Sequence, residues 1–350
     1  IDFRERIRVN GEMITREAVL EFVDKYLEPS REIHPSFFEL TMMMAFDYFA
    51  SRHVDVAVIE TGLGGRLDST NIITPRACVI TNISYDHMAQ LGHTLTSIAH
   101  EKAGIIKSGI PVVIGEAEGD VRRVFEEKAR EESAPIYFAQ ESDVLTSCRP
   151  DENGQWAIDS RDYGYLTYEL GGLCQEKNAA TILCALRILR QQGFAITPEA
   201  VKEGFAHVTT LTGLQGRWQK VGSLPPAYCD TGHNTGGFRY ISQQLAGIKC
   251  RTLRIVFGMV NDKDISGVLS MLPREAVYYF TQASIPRAMP ASVMRDKAAE
   301  AGLKGDVYDS VPEAYRAALH DSCDDDFVFI GGSSFVVADL LAFLEANKKN

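Results

Sequence analysis

The stretch Val58-Ile59-Glu60-Thr61-Gly62-Leu63-Gly64-Gly65-Arg66-Leu67-Asp68 decides the fold. It completes the β-branched run 54–59, which predicts a strand, and then passes into a loop with three glycines. Short apolar runs at 77–81, 111–114 and 135–138 predict three more strands, with helical stretches between the later ones. This alternation predicts a parallel sheet with helices on both faces.

The pattern changes in the middle of the chain. The helical stretches 94–107 and 119–133 give way, from residue 144 to 170, to an alternation of polar and aromatic residues with turn residues. That section predicts a small antiparallel excursion. Helical periodicity then resumes at 175–192 and 198–208.

A second alternating section follows the uncharged, glycine-bearing segment 209–216, which predicts an inter-domain linker. Apolar runs predict strands at 227–230, 253–257, 277–281 and 327–330. Helical periodicity predicts helices at 236–248, 291–302, 312–320 and 335–346. We therefore expect two domains, residues 1–212 and 213–350, of which the second is a smaller α/β domain.

The composition excludes several classes of protein. The 350 residues are 45% hydrophobic and 24% charged, which is typical of a globular chain and excludes disorder. With 36 basic and 47 acidic side chains the net charge is −11, so we expect no nucleic-acid and no membrane partner. The seven cysteines form no C-x-x-C pair, which excludes a zinc ribbon and is typical of the reducing cytoplasm. We expect a cytoplasmic monomer that binds small molecules.

Glu60 ends the first predicted strand and leads directly into the glycine-rich loop. Ligands of an open parallel sheet gather beyond the carboxyl ends of its strands. A carboxylate is a ligand that Mg²⁺ prefers, and glycines let the backbone approach a phosphate or a substrate. The alternative is that Glu60 only caps the sheet and that the glycines only form turns.

His87 lies shortly after the second predicted strand, at the same edge of the sheet as Glu60. A histidine in a loop is usually just solvated, but this position favours a metal ligand. Asp86 would then orient the imidazole ring or lie in the outer shell of the metal.

Lys102 lies on the predicted helix 94–107. The apolar positions of that helix are Leu95, Ile98, Ile105 and Ile106. Lys102 falls in the middle of their face, where a lysine loses hydration and its neutral amine becomes accessible. Such an amine can bind phosphate, act as a base, or capture CO₂ as a carbamate, which would be an oxygen ligand for a divalent metal. The alternative is a lysine that extends to the edge of the helix and into water.

Three residues near the start of the second predicted domain suit a nucleotide. Arg217 supplies positive charge for phosphates, and Asp230, after a predicted strand, suits ribose hydroxyls. His233 lies close beside Asp230 in the sequence. None of the three is specific by itself.

Together these residues resemble the folate branch of the Mur ligase superfamily, dihydrofolate synthase/folylpolyglutamate synthase. The opening stretch, extended to Ile72, is similar to a sequence signature of that family, and the resemblance covers essentially the whole chain. Other similar segments are Asp86-His87, Leu91-Gly92-His93-Thr94, Glu101-Lys102-Ala103-Gly104-Ile105-Ile106-Lys107, Gly213-Leu214-Gln215-Gly216-Arg217, Gly258-Met259-Val260-Asn261-Asp262-Lys263-Asp264 and Gly331-Gly332-Ser333. The resemblance implies a Mur-ligase-like central parallel-sheet ATPase domain and a smaller Rossmann-like α/β C-terminal domain.

The resemblance also implies ATP-dependent amide formation. ATP would phosphorylate the carboxylate of a pteroate or folate, and the amine of L-glutamate would attack the acyl phosphate. The implied roles are Mg²⁺ ligands (Glu60, His87), the carbamylated lysine (Lys102), pterin contacts (Leu67, Asp68, Ser69), ATP contacts (Asn178, Arg217, Asp230), a catalytic histidine near the phosphates (His233) and a glutamate contact (Ser333). Beside Mg²⁺ and ATP, a K⁺ ion or a second Mg²⁺ is the further cofactor to consider.

Two departures from the family pattern leave alternatives open. Members carry a phosphate loop ending in G-K-[ST], whereas this chain has no Gly-Lys dipeptide, and the segment 230–235 has Gly and Thr where Ala and Pro are expected. Residues 4–11 resemble the stretch after the family's N-terminal substrate loop, so we expect an N-terminally truncated central domain and an inactive fragment of an active enzyme. The alternatives are a non-catalytic pterin- or nucleotide-binding protein and a Mur-type ligase for another acceptor. Dihydrofolate synthesis, polyglutamate extension and both together are equally compatible with these residues.

Overall fold

The computed structural model describes residues 2–151, 155–261 and 264–348. The chain begins with an antiparallel hairpin and two helices, which are β1 (Arg8–Val9), β2 (Glu12–Met13), α1 (Arg16–Tyr26) and α2 (Phe37–Ser51). Thr15 caps α1 and Ser36 caps α2, each by accepting a backbone N–H of the first turn. The apolar faces of these elements share one small core.

A three-stranded parallel sheet forms the centre of the N-terminal part. Its elements are β3 (Cys78–Ile80), α3 (Met88–Leu91), α4 (Leu95–Ala103), β4 (Val112–Ile114), α5 (Gly119–Glu131) and β5 (Ile136–Phe138). The strands lie in the order β3-β4-β5, with Cys78 opposite Val112 and Val112 opposite Ile136. Helices α4 and α5 cover one face of this sheet through Ala103 and Phe125. The three later strands are therefore confirmed.

The predicted strand 54–59 is wrong. No strand pairs with this run among the described residues, and Val56 and Val58 are 57% and 94% exposed. A β-branched run becomes a strand only where a neighbour completes its ladder of hydrogen bonds. Within the described ranges, β3 pairs with β4 alone.

The middle section contains the predicted antiparallel excursion. Its elements are β6 (Leu145–Pro150), β7 (Trp156–Ser160), β8 (Gly164–Tyr168), α6 (Gln175–Gln191), α7 (Pro198–Ala206) and α8 (Val208–Thr212). Helix α6 packs beside Val113 through Ala179 and Leu183, so the central sheet has helices on both faces, as predicted. The predicted linker 209–216 begins inside α8 and loses regular structure at Gly213, whose φ is 69°.

The C-terminal part is a six-stranded sheet in the order β13-β12-β11-β14-β10-β9. Its elements are β9 (Gln219–Ser223), β10 (Pro226–Cys229), α9 (Thr235–Ala246), β11 (Leu253–Phe257), α10 (Ile265–Met271), β12 (Val277–Phe280), α11 (Ala291–Glu300), β13 (Lys304–Val307), α12 (Val311–His320), β14 (Phe327–Gly331) and α13 (Ser334–Lys348). All pairings are parallel except that of β9 with β10. Helices α9, α10 and α11 contribute to one core and α12 and α13 to the other, so this sheet also lies between two helical layers.

Two smaller features complete the description. Short 3₁₀ helices occur at Phe3–Arg6, Arg31–Ile33, Ser69–Ile72 and Ala139–Glu141. None of the helices in the described ranges is both long enough and apolar enough to cross a lipid bilayer.

Candidate active site

The glycine-rich loop is folded around Asp68. One carboxylate oxygen of Asp68 accepts the N–H of Leu63 at 2.8 Å, and the other accepts the N–H of Thr70 at 3.0 Å and so caps the helix Ser69–Ile72. Leu67 is exposed beside this turn. Glu60 lies exposed at the start of the loop, and its carboxylate has no hydrogen bond or ion pair to any described residue.

This loop lies directly against the end of α4. The N–H of Arg66 donates to the carbonyl of Glu101 at 2.8 Å, and its guanidinium Nη2 pairs with Glu101 Oε1 at 2.9 Å. A Cβ at Gly65 would lie 2.8 Å from Ile105 Cγ2 and 2.9 Å from the carbonyl oxygen of Glu101, so the two backbones touch. The loop that Glu60 opens is thereby fixed beside Lys102.

Lys102 lies in the last turn of α4 and is half-buried. The core residues of this helix are Ile98, Ala99 and Ala103, so Lys102 flanks the apolar face and is not enclosed by it. The prediction of a lysine in the middle of the apolar face is wrong to that extent, because Lys102 keeps contact with solvent at the helix end. Its ammonium group has no hydrogen bond or ion pair within the described residues, and the charge of Glu101 is already paired with Arg66.

His87 precedes α3 with a left-handed backbone, at φ 48° and ψ 40°. Its N–H donates to Asp86 Oδ1 at 2.9 Å, and its imidazole is exposed. A Cβ at Gly64 would lie 2.8 Å from Leu91 Cδ2, so the glycine-rich loop also contacts α3. The loop that begins at Glu60 therefore lies against the helices that follow His87 and carry Lys102. In the described ranges no three His, Cys, Asp or Glu side chains form a metal-binding group.

Asp230 lies at the carboxyl edge of the C-terminal sheet, directly after β10. Its Oδ2 accepts the N–H of Trp218 and its Oδ1 accepts the N–H of Gly232, both at 2.8 Å. Burial raises the pKa of the Asp230 carboxyl above its ordinary value, although these two N–H groups and the nearby charge of Arg217 act in the opposite direction.

Arg217 is exposed and lines a cavity of about 470 Å³. The cavity lies between the end of β8, the segment 209–216 and the first strands of the C-terminal sheet, and Trp218 and Tyr228 form part of its wall. Its volume is in the range of pockets that hold small organic ligands. Because the N–H of Trp218 donates to Asp230, the wall of the cavity is tied to that carboxylate.

Two other predicted residues have local roles in the structure. Asn178, on α6, donates through Nδ2 to Gln175 Oε1 at 3.0 Å and is half-buried. Ser333 is buried between β14 and α13, and its hydroxyl accepts the N–H of Phe335 at 3.0 Å. Ser333 follows the strand that pairs with β10, so it lies at the same edge of the sheet as Asp230.

The two parts of the chain meet at Asp86. Its Oδ2 lies 3.3 Å from Nε2 of His233 and accepts Nδ2–H of Asn234 at 3.0 Å. A second bridge joins Glu116, after β4, to the ammonium of Lys177 and to the hydroxyl of Tyr240 on α9. Residues of the predicted metal region and of the predicted nucleotide region are therefore in direct contact.

Comparison with known proteins identifies the family of this chain. The Mur ligase middle domain matches residues 17–161, and the Mur ligase glutamate ligase domain matches residues 216–334. Dihydrofolate synthase/folylpolyglutamate synthase of Bacillus subtilis is 31% identical over 364 residues, covering 97% of this chain and 81% of the relative. The chain belongs to the dihydrofolate synthase/folylpolyglutamate synthase family.

Solved structures agree with this family assignment. Escherichia coli FolC in complex with DHPP and ADP superposes with a TM-score of 0.86 at 29% identity, covering 99% of this chain and 80% of that one. A bifunctional folylpolyglutamate synthase/dihydrofolate synthase with Mn, AMPPNP and L-glutamate bound gives a TM-score of 0.80 at 30% identity, with coverages of 99% and 80%. The Mur-ligase-like fold predicted from the sequence is confirmed, and the family is one of ATP-dependent glutamate ligases.

The sequence did not predict which residues join the N-terminal and C-terminal parts of the chain at this site. Asn234 is adjacent to the predicted His233, yet its contact with Asp86 has no local signal, because the two residues lie 148 positions apart. The bridge of Glu116, Lys177 and Tyr240 was missed for the same reason. The Asp-His and His-Asn dipeptides were the available clues, since each places a polar neighbour next to a candidate ligand.

Proposed function

We propose that this chain is an ATP-dependent ligase that joins L-glutamate to dihydropteroate, to a folyl-polyglutamate, or to both. The observation that carries the proposal is the contact of Asp86 with His233 and Asn234, at 3.3 and 3.0 Å, because it brings the two halves of the candidate site together. Residues 1–212 would form the ATP- and pterin-binding domain, and residues 213–350 the glutamate-ligase domain. The relative with Mn, AMPPNP and L-glutamate bound supports the same set of small-molecule substrates.

Glu60 and His87 would hold Mg²⁺. The exposed carboxylate of Glu60 engages no other described residue, and Mg²⁺ is usually held by one or two protein ligands together with phosphate oxygens and water. The carboxylate of Glu60 is an oxygen ligand of the kind that Mg²⁺ prefers, and the exposed imidazole of His87 would be the second protein ligand. When bound, Mg²⁺ supplies positive charge that reduces the repulsion between phosphate oxygens and an attacking carboxylate.

Lys102 would carry the carbamate. Its amine is half-buried beside the glycine-rich loop and unpaired within the described residues. The negative charge of the neighbouring Glu101 is paired with Arg66, so this charge would repel a carbamate on Lys102 only weakly. We expect protein equilibrated with ¹³C-bicarbonate to show a carbamate signal by NMR that Lys102→Arg lacks. If the two spectra are identical, Lys102 acts as an amine and the modification is rejected.

Residues of the glycine-rich loop and of the cavity beside Arg217 would contact the pterin and the nucleoside. Exposed Leu67 offers an apolar surface to a pterin ring, while Asp68 holds the turn and Ser69 begins the helix beside it. The nucleoside would lie toward Arg217 in the cavity of about 470 Å³, and Asp230 would accept ribose hydroxyls.

Asn178 would contact the same nucleotide from α6, and Ser333 would seat the incoming glutamate at the carboxyl edge. His233 would lie near the phosphates, because it lies where the two halves of the site meet.

The reaction has two bond-forming steps. A carboxylate oxygen of the acceptor would attack the γ-phosphorus of ATP, and the bond to the bridging oxygen would break as ADP leaves. The neutral amine of glutamate would then attack the acyl carbon, phosphate would leave, and the amide nitrogen would lose its extra proton. The acyl phosphate is destroyed by water, so the contact between the two parts of the chain would also serve to exclude solvent.

The direct test measures ADP release with Mg²⁺, ATP and L-glutamate in the presence of dihydropteroate, tetrahydrofolate or a UDP-linked peptidoglycan precursor. The chain would be assayed beside one extended by its own upstream coding sequence, which tests the expectation of a missing phosphate loop. Release that depends on a pterin acceptor supports the proposal, and the preferred acceptor names the activity. Release only with the UDP-linked acceptor, or none from either chain, would overturn it.

A further inference from the structure

The carboxylate of Asp86 connects three groups of the candidate site. Oδ1 accepts the N–H of His87 at 2.9 Å, on the same loop. Oδ2 faces Nε2 of His233 at 3.3 Å and Nδ2 of Asn234 at 3.0 Å, both from the loop that precedes α9. One side chain therefore joins the loop of the predicted metal ligand to the loop of the predicted catalytic histidine.

The partners of His233 define how its ring is held. Nδ1 lies 3.2 Å from the carbonyl oxygen of Thr231, which can only accept a hydrogen bond. Nε2 faces the carboxylate of Asp86, which also accepts when it is ionised. Asp86 and Thr231 contact the two ring nitrogens from different sides, so together they fix the plane of the ring.

Asn234 uses its two amide atoms for two different purposes. Its Oδ1 accepts the N–H of Gly237 at 2.9 Å and caps α9, while its Nδ2 donates to Asp86. The backbone of this first turn also abuts the opposite loop, because a Cβ at Gly236 would lie 2.7 Å from Ser84 Cβ. The start of α9 is thus docked on the loop 84–87 by a hydrogen bond and by close packing.

We propose that Asp86 is a positioning residue for the ligase reaction. It docks the segment 231–234 on the loop of His87 and holds the ring of His233 at the junction of the two parts of the chain. Asp86 acts through His233 and Asn234 and not by touching the substrate. The inference depends on the proposed function for its kinetic consequence, but the docking itself is independent of activity.

An exchange of amide and carboxylate between positions 86 and 234 tests the contact. Asn234→Asp keeps the oxygen that caps α9 but turns the donor toward Asp86 into a second acceptor, so the two carboxylates repel. In the double variant with Asp86→Asn, one hydrogen of the new amide donates to the new carboxylate, which restores that contact, and its second hydrogen faces Nε2 of His233. Asn347→Asp makes the same chemical change on α13, far from the junction, and is the matched control.

Two readouts distinguish this inference from the proposed function. Hydrogen exchange of the backbone amides in 82–88 and 231–238, without substrates, should become faster in Asn234→Asp and return to the wild-type rate in the double variant. In the chain form that releases ADP, kcat should fall at least about tenfold in Asn234→Asp with the KM for ATP changed less than about twofold, and recover to within about threefold in the double variant. The control should match wild type in both.

Each result is decisive. If Asn234→Asp exchanges and turns over like wild type, or if the double variant recovers neither exchange nor turnover, Asp86 is not a positioning residue. If no chain form releases ADP while exchange follows the expected order, the docking stands and the proposed function fails. Thermal unfolding of each variant, with its helix cap intact, separates these outcomes from a general loss of structure.

Discussion

The two edges of the C-terminal sheet hold an aspartate carboxylate in opposite ways. At the amino edge, Asp326 precedes β14, and its oxygens accept hydrogen bonds from the guanidinium groups of Arg251 and Arg254 at 3.0 and 3.2 Å. The guanidinium of Arg251 is the main reason that the pKa of Asp326 is held well below its usual range. Its charge is neutralised within the protein.

At the carboxyl edge, Asp230 follows β10 and accepts hydrogen bonds from the backbone N–H groups of Trp218 and Gly232. Burial dominates there and raises the pKa of Asp230. The amino edge of this sheet therefore neutralises its carboxylate with paired guanidinium groups. The carboxyl edge, which carries the candidate site, holds its carboxylate with two backbone N–H groups instead.

The largest effect on stability is expected from Asp326→Ala. Removing this carboxylate leaves the guanidinium of Arg254, whose side chain is 11% exposed, without its anionic partner, and we expect the free energy of unfolding to fall by about 3–5 kcal/mol. Urea denaturation measures it. Asp324→Ala, at an exposed carboxylate in the same turn, should change stability by less than about 0.5 kcal/mol. Equal effects would show that the ion pairs of this edge contribute nothing.

The two arginines at this edge should differ from each other. The side chains of Arg254 and Arg251 are 11% and 50% exposed, and Arg254 also donates to the hydroxyl of Tyr279 at 2.8 Å. Arg254→Ala should therefore lower the free energy of unfolding by about 2 kcal/mol, and Arg251→Ala by clearly less. Urea midpoints in the reverse order would contradict the role given to burial.

Asp230→Asn changes the carboxylate at the carboxyl edge of the same sheet. The amide keeps one acceptor but turns an NH₂ group toward a backbone N–H, which should cost about 1–2 kcal/mol of stability. If Asp230 binds the ribose, the KM for ATP should rise about tenfold or more in the ADP-release assay, because one hydrogen bond to a charged acceptor is weakened. An unchanged KM with reduced stability would leave Asp230 a purely structural residue.

The opposite pKa shifts predict opposite dependences of stability on pH. Asp326 stays ionised in the fold below its ordinary pKa of 3.8, so its contribution is present above that value and is lost as the pH falls further. Asp230 keeps its proton in the fold above 3.8, so its contribution is present below 3.8 and is lost as the pH rises through its folded pKa.

Each of these slopes is limited to about 1.4 kcal/mol per pH unit, the smallest effect in the series. Asp326→Ala should flatten the loss of stability in acid, and Asp230→Asn should make stability rise more steeply just above pH 3.8. Chemical denaturation at a series of pH values measures both slopes. If the plots of stability against pH run parallel for the two variants, the opposite pKa shifts assigned to Asp326 and Asp230 are contradicted.

The sequence predicted the inner strands of the central and C-terminal sheets, because a continuous apolar run indicates a buried strand whichever strand pairs with it. It did not predict β9 and β13, edge strands whose polar residues Gln219, Lys220, Lys304 and Asp306 form a ladder only because a neighbour is present. It overpredicted 54–59 for the converse reason, since this run has strand composition but no paired neighbour in the described residues.

In the candidate site, the sequence pointed to the glycine-rich loop of Glu60 and to the dipeptide at His87, because each of these motifs is a short continuous segment. The family and its ligase activity are confirmed by the comparisons, while the role of each site residue remains a prediction. The inward placement of Lys102 was only partly right, because periodicity does not say where a helix end meets solvent. The contact of Asp86 with His233 depends on how two distant loops meet, which no local pattern encodes.

The close contact between the glycine-rich loop and α4 also determines which positions can vary. A Cβ at Gly65 would meet the carbonyl of Glu101 at 2.9 Å, and one at Gly104 would overlap the side chain of Arg66. A side chain added on one side of this contact would displace the other side, so each segment limits which residues the other can carry. Leu67, two residues away and exposed, has no such limit. The side chain at position 67 can therefore change in size without disturbing the loop that carries it.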